Sequence, residues 1–323
     1  MNLSPEFISN IQNTFREEGY AFLKALPDSI AEASARWGLT NVQPVPTLSY
    51  NFVAFAKRSS SADFAKTASS SAQGEVVLKM GVPNRELKSE MAALRLFNGE
   101  GACRLLECDE ERYWMLLERL NPGVMLATME DDEQATRVAA EVMKKIWRSG
   151  LDTPSASASG YSTSGSKFIR LTDWFDGLKR LRRMFNGGTG PLDEKLVEHV
   201  EGSTKDFFAE NHSPVLMHGD FHHYNILSSE RGWLVIDPKG VIGPAGYEVG
   251  PLLMNPWEEL LNGINNRLIT KRRIDILHEQ LGFERERIRE WGLAHAILSA
   301  WWGIEDNTGW EYAMAFAEMI ASL

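Results

Sequence analysis

Residues 214–240 read PVLMHGDFHHYNILSSERGWLVIDPKG, and the interpretation of the whole chain turns on them. Val215, Leu216 and Met217 form a short apolar run of the kind that makes a buried strand. Polar residues then crowd together: His218, Asp220, His222, His223 and Asn225. Ile226 and Leu227 restart an apolar pattern, and Ser228–Gly232 supplies turn-forming residues. Trp233–Ile236 returns as a second strand that ends on Asp237. The pattern predicts a β-hairpin with polar groups at both open ends.

The spacing of those groups suggests their chemistry. Asn225 stands five residues after Asp220, and Asp237 twelve after Asn225. Phosphoryl transfer needs one carboxylate to accept a hydroxyl proton. It also needs an amide oxygen and a second carboxylate to hold Mg²⁺ on a triphosphate. Kinase catalytic loops place a histidine two residues before the base and an asparagine five after it. His218, Asp220 and Asn225 have that spacing. The plainer reading of such a cluster is a polar loop whose Asp and Asn cap turns; a strand-end Asp after a hairpin argues against it.

HGDFHHYN followed by VIDPKG resembles the aminoglycoside phosphotransferase family, small-molecule kinases with a protein-kinase-like fold. IDPKG and the later GYEVGPLL (246–253) resemble in particular its streptomycin- and hydroxyurea-phosphorylating branch. The resemblance runs from about Trp37-Gly38-Leu39 to the Trp301–Asn307 region. It implies an α+β, two-lobed fold, with an N-terminal antiparallel sheet lobe carrying a helix and a mainly helical C-terminal lobe. The expected boundaries are 1–120 for the nucleotide-binding lobe, with a helical extension over 1–40, and 121–323 for the catalytic and substrate-binding lobe. ATP and Mg²⁺ are the implied cofactors. Gly219, where protein kinases usually carry Arg, points to a small-molecule kinase.

Composition sets limits. A net charge of −10 argues against a nucleic-acid partner, which usually meets a basic face. An acidic chain favours a cationic substrate, with solvated surface the plainer reading of most of its carboxylates. No run approaches the roughly 20 apolar residues needed to span a bilayer. The two cysteines, Cys103 and Cys108, form neither a disulfide framework nor a zinc pattern, which fits a reducing cytoplasm. Residues 1–10 carry no basic stretch followed by an apolar run, so no secretory signal is expected.

Upstream of the hairpin, residues 4–24 and 26–38 each show helical periodicity. Val45–Ser49 and Phe52–Lys57 read as strands. Their connection stands where a kinase covers the nucleotide phosphates, a loop that usually carries glycines. Here Ser49 and Asn51 are the candidate donors; an ordinary hairpin turn is the alternative. Residues 58–74 are Ser/Ala-rich and read as a joining loop. Glu75–Met80 is the next strand, and Lys79 near its end resembles the kinase lysine that holds phosphates. In the helical stretch Glu86–Phe97, Glu90 falls inside the apolar stripe of Leu87, Met91 and Leu94. A carboxylate there requires a buried partner, and Lys79 is the natural one. Strands are expected at 103–106 and 113–117. They lead to Glu118–Gly123, where the resemblance implies a hinge that reads adenine through the main chain of Glu118 and Leu120.

Beyond the hinge, helices are expected over 132–149, 168–186, from Pro191 towards Glu210, and over 267–281, 284–302 and 310–323. A Ser/Gly-rich loop is expected over 153–167. Asp173, Trp302, Glu305 and Asp306 are candidate substrate contacts, since flat apolar surface with carboxylates suits a polyhydroxylated or guanidinium-bearing ligand. Solvated or capping roles are the alternative. Glu248 is a further candidate, for which the resemblance implies a bracing role at the catalytic loop. His218 supports the same loop, His222 hydrogen-bonds within it, and His295 reads as a core histidine. Lys239 either approaches phosphate or pairs with a neighbouring carboxylate.

The expected activity is transfer of the ATP γ-phosphate to a hydroxyl of a small molecule: an aminoglycoside such as streptomycin, or hydroxyurea. Other acceptors (choline, homoserine, a sugar, fructosamine) and a catalytically silent nucleotide-binding regulator are the alternatives. A protein kinase is disfavoured, because Pro238-Lys239 stands where Phe-Gly would follow the metal Asp and no A-P-E segment follows.

Overall fold

A computed structural model describes residues 3–59, 74–149, 167–210, 213–256 and 265–323. Most of the loops expected over 58–74 and 153–167 lie outside the described residues. The chain divides into two compact units: residues 1–123 with Ser228–Gly232, and residues 124–227 with 233–323.

The first unit opens with helix α1 (Pro5–Trp37), capped by the Ser4 hydroxyl, which accepts from the Phe7 N–H at 3.2 Å. The expected break near residue 25 is absent. The helix instead breaks at Arg16, whose φ is 49°, and Pro27 sits inside the second segment. Gly19 lets the two segments meet, since a Cβ there would overlap the Ile11 carbonyl oxygen.

Five strands follow: β1 (Leu39–Pro44), β2 (Phe52–Arg58), β3 (Glu75–Met80), β4 (Leu105–Asp109) and β5 (Trp114–Glu118). They form one antiparallel sheet of order β1-β2-β3-β5-β4. The first strand therefore precedes the expected 45–49, and residues 45–51 are the connection. Likewise β4 begins after Cys103, which is buried outside it. Inward residues recur with period two. Phe52, Ala54 and Ala56 of β2 and Val76, Leu78 and Met80 of β3 share a core with Phe7, Ile11, Leu26 and Trp37 of α1. Helix α2 (Arg85–Phe97) starts at Asn84, whose Oδ1 accepts from the Leu87 N–H at 2.9 Å.

The second unit is mainly helical. Its elements are β6 (Pro122–Met125), α3 (Asp132–Ile146), β7 (Ile169–Arg170), α4 (Leu171–Met184), α5 (Glu194–Ala209), β8 (Val215–Met217), β9 (Ile226–Ser229), β10 (Gly232–Val235), β11 (Val241–Gly243), α6 (Val249–Leu253), α7 (Asn266–Leu281), α8 (Arg285–Glu305) and α9 (Glu311–Ala321). The fold is thus α+β, an antiparallel sheet unit followed by a mainly helical one. Among the described residues, no helix is long and apolar enough to cross a membrane.

Strand β8 is expected from its apolar run, but β7, β11 and the sheet β7-β11-β8 have no counterpart in the sequence reading, because strands of two or three residues leave too little periodicity. It matters for the site. Met217 pairs with Val241, Leu216 with Ile242 and Val215 with Gly243, so the chain entering His218 and the chain leaving Gly240 are clamped side by side. The helices behind them are held by Arg273, fully buried on α7. Its guanidinium bonds Asp132 of α3 at 2.8 Å and the carbonyls of Leu252 and Asn255.

Candidate active site

In the first unit, β3 presents Lys79 and α2 presents Glu90. Nζ lies 2.7 Å from both carboxylate oxygens, with both side chains buried. This is the partner a charge on the core face of α2 requires. Asn51 packs against the turn after β3: a Cβ on Gly81 would overlap its Oδ1. Ser49 is exposed, and its carbonyl accepts from Asn10 at 3.5 Å. At the expected hinge segment, the Glu118 N–H donates to the Arg104 carbonyl at 2.9 Å. The Glu118 carboxylate accepts from the Arg104 N–H at 3.0 Å and from the Arg231 guanidinium. Leu120 is buried.

In the second unit, the chain leaves β8 through His218 and turns at Gly219, whose φ is +89°. A Cβ at Gly219 would overlap Val241 Cγ2 and stand 3.0 Å from Trp174 Cη2. Conformation and space both demand glycine there. The turn is braced by Glu248, whose two oxygens accept from the His218 and Gly219 N–H groups at 2.8 Å each. Burial pushes its carboxyl up to about 7, against the lowering effect of those two bonds. Glu248 is fully buried. That corrects its inclusion among the substrate contacts: both oxygens are engaged by the loop itself.

His218 is also committed. Its Nε2–H donates to the Ile236 carbonyl at 2.8 Å, and its Nδ1 accepts from the Asp220 N–H at 3.2 Å. Burial draws its pKa down to about 4, so the ring is neutral at pH 7 with neither nitrogen turned to a ligand. The Lys239 N–H closes the ring of contacts on the His218 carbonyl at 2.7 Å.

Asp220, by contrast, keeps 38% of its side-chain surface exposed. Burial alone would raise its pKa. The nearby Lys239 ammonium offsets that effect, and the carboxyl is held below the usual carboxylate range. It is therefore an ionised, accessible acceptor at the end of a braced loop. Asn225 ends a 3-10 turn (His223–Asn225); its Nδ2 donates to the Asp220 carbonyl at 3.0 Å. The Asn225 carbonyl accepts from the Ile236 N–H at 2.9 Å, which brings Asp237 alongside. Asp237 has φ 57°. A left-handed non-glycine residue costs about 1–2 kcal/mol, and such strain persists where surrounding structure enforces it. Lys239 Nζ lies 3.2 Å from Asp237 Oδ2, so the lysine pairs with this carboxylate.

The amide and carboxylate oxygens of Asn225 and Asp237 are hard donors of the kind Mg²⁺ takes when phosphates and water complete its shell. The residues present therefore fit that ion.

The other candidates are less gathered. Glu305 is clipped by Arg180 in a two-pronged pair at 2.7 and 2.8 Å. Asp306, next to it, has its carboxyl raised by burial and by the Glu305 charge. Asp173, on the first turn of α4, is half-buried. Trp302 meets Trp174 edge-on at 5.4 Å, and Trp174 borders Gly219, which places Trp302 one ring away from the loop that carries Asp220. Trp174 falls within the helix expected over 168–186, and no local signal in the sequence marks it as a neighbour of the loop. His295 is a core histidine, its Nδ1 3.0 Å from the buried Tyr247 hydroxyl.

Comparison with known proteins agrees with this architecture. Residues 53–307 match the family model described as aminoglycoside/hydroxyurea antibiotic resistance kinase. A streptomycin 6-kinase of Streptomyces griseus is 30% identical over 90% of this chain and 87% of its own length. A hydroxyurea phosphotransferase of Kitasatospora aureofaciens is 29% identical over 90% of this chain and 76% of its own. Among solved structures, a thermostable mutant of aminoglycoside phosphotransferase APH(4)-Ia, in ternary complex with ADP and hygromycin B, superposes with a TM-score of 0.60. It is 14% identical and covers 90% of this chain and 97% of its own. A choline/ethanolamine kinase family protein from Mesorhizobium loti also gives a TM-score of 0.60, at 13% identity over 91% of this chain and 94% of its own. The match to the family model over most of its length shows that the chain belongs to the aminoglycoside/hydroxyurea antibiotic resistance kinases.

Proposed function

We propose that the protein transfers the γ-phosphate of ATP to a hydroxyl of a small molecule, either an aminoglycoside of the streptomycin type or hydroxyurea. The observation that carries this reading is the contrast within the catalytic loop. His218 and Glu248 are engaged in bracing it, while Asp220 is ionised and open. Membership of the kinase family and the named activities of the relatives support the choice of donor and acceptor.

In this reading Asp220 orients the acceptor hydroxyl and takes its proton as the oxygen attacks phosphorus. A carboxylate already ionised at pH 7 needs no further activation. Lys79, held by Glu90, binds the phosphates of ATP, with Ser49 and Asn51 contributing at the β1–β2 connection. The main chain of Glu118 and Leu120 reads the adenine edge. Asn225 and Asp237 would hold Mg²⁺, which neutralises phosphate charge when bound. Trp302, with Asp173, Glu305 and Asp306, belongs to the acceptor side, where carboxylates suit a cationic ligand.

The experiment is a panel of streptomycin, other aminoglycosides, hydroxyurea and common hydroxylated metabolites, incubated with Mg-ATP and read by mass spectrometry. A phosphorylated aminoglycoside or hydroxyurea is the expected product. Phosphate on choline or a sugar alone would reassign the acceptor, and no product with any hydroxyl compound would remove the catalytic reading.

A further inference from the structure

Within the catalytic loop, the side-chain nitrogen of Asn225 has two close neighbours. Nδ2 lies 3.0 Å from the Asp220 carbonyl oxygen and 3.2 Å from His222 Nε2. An amide NH₂ has two protons to give and accepts nothing. His222 Nε2 must therefore accept, which places the ring proton on Nδ1. With both N–H bonds committed, Asn225 Oδ1 faces the opposite way. Flipping the amide would set its oxygen against the Asp220 carbonyl oxygen, an acceptor at hydrogen-bond distance.

The same Nε2 stands 3.5 Å from Asp220 Oδ1. That is long for a good hydrogen bond, and the nitrogen has no proton to donate while it accepts from Asn225. His222 is thus not a relay for the base. Its ring is largely buried, edge-on to Tyr224 at 5.8 Å, and Nδ1 is buried with no hydrogen-bond partner among the described residues. A buried donor without a partner costs about 1–3 kcal/mol, and that cost accompanies the tautomer that serves Asn225.

We propose that His222 is a positioning residue for the metal-binding amide: its Nε2 lone pair, together with the Asp220 carbonyl, locks the Asn225 side chain so that Oδ1 is presented to a divalent cation. The inference rests on Asn225 being a metal ligand in the function proposed above. Without His222 one N–H bond to the Asp220 carbonyl remains, and the amide is free to swing about it.

The test uses Mn²⁺ as probe, with the full-length protein and ADP, and bound metal counted from the loss of the free Mn²⁺ signal in electron paramagnetic resonance. Changing a group that orients a ligand typically weakens metal affinity by about 10- to 100-fold. His222→Phe is expected to weaken Mn²⁺ by that order and to raise the Mg²⁺ concentration for half-maximal rate. Combined with Asn225→Ala it adds nothing further. His222→Gln, whose amide oxygen can accept, recovers part of the affinity. Nitrogen NMR of the unaltered protein is expected to show the Nδ1–H tautomer at His222, a readout that needs no variant to fold. An Nε2–H tautomer would overturn the proposal. So would His222→Phe with normal Mn²⁺ affinity beside a weakened Asn225→Ala. If Asn225→Ala itself binds Mn²⁺ normally, the metal assignment fails first and takes this inference with it.

Discussion

Both oxygens of Glu90 lie 2.7 Å from Nζ of Lys79, and neither side chain keeps more than 5% of its surface exposed. A buried pair of this kind adds little net stability, yet removing one partner strands the other, at about 3–5 kcal/mol. Glu90→Ala and Lys79→Ala are each expected to lower the urea midpoint sharply and to raise the KM for ATP. The double replacement Lys79→Met with Glu90→Leu is expected to recover much of the stability and none of the activity. Recovery of turnover in that double variant would show that the pair only holds α2 to the sheet.

The Gly219 position tests how tightly the catalytic loop is specified. Gly219→Ala combines a φ of +89° with overlap on Val241 and a close approach to Trp174. It is expected to cost about 1–3 kcal/mol of stability and to lower kcat more than the KM for ATP. Adding Val241→Ala relieves the overlap but not the backbone strain, so thermal denaturation should show partial rescue only.

Acid stability follows from buried histidines. Burial draws His218 and His295 down to about 4 and His223 well below its ordinary 6.5. As pH falls through 6.5, the unfolded chain binds protons that the folded chain refuses, so stability present at pH 7 is lost towards pH 4. For His218 and His295 the full loss is about 3 kcal/mol each. Glu248 acts in the opposite sense. Burial raises its carboxyl from 4.5 to about 7, so its contribution is lost as pH rises across that interval. Three histidines outweigh one glutamate, and net stability is expected to climb between pH 4.5 and 6.5. His223 has no hydrogen-bond partner for either ring nitrogen among the described residues. His223→Leu should leave stability at pH 7 unchanged or higher and flatten the slope by one proton. Urea midpoints measured across pH 4.5–7 check both.

Long or strongly patterned elements were readable from the residues alone. Strand Glu75–Met80 alternates apolar side chains before its lysine, and Glu90 sits where the helical stripe forbids an unpaired charge. The hairpin β9–β10 announced itself by a turn between two apolar runs. What escaped was set by contacts distant in sequence. The pairing of Met217 with Val241 joins strands of three residues, too short for a period to register. The helix breaks at Arg16, close to the tight approach of Gly19 to Ile11, and not at Pro27, the stronger local breaker. Trp174 owes its place beside Gly219 to that same distant packing, of which spacing along the chain carries no sign; the bracing role of Glu248 was legible only through the family resemblance.

The claim that Asp220 receives the acceptor proton is tested most directly by Asp220→Asn, assayed for both nucleotide binding and phosphate transfer. The side chain keeps its size and lies on a loop braced by other groups, so the fold and the binding of Mg-ATP are expected to persist. Transfer to the acceptor is expected to fall by about 10²–10⁴. Turnover equal to that of the unaltered protein would contradict the account.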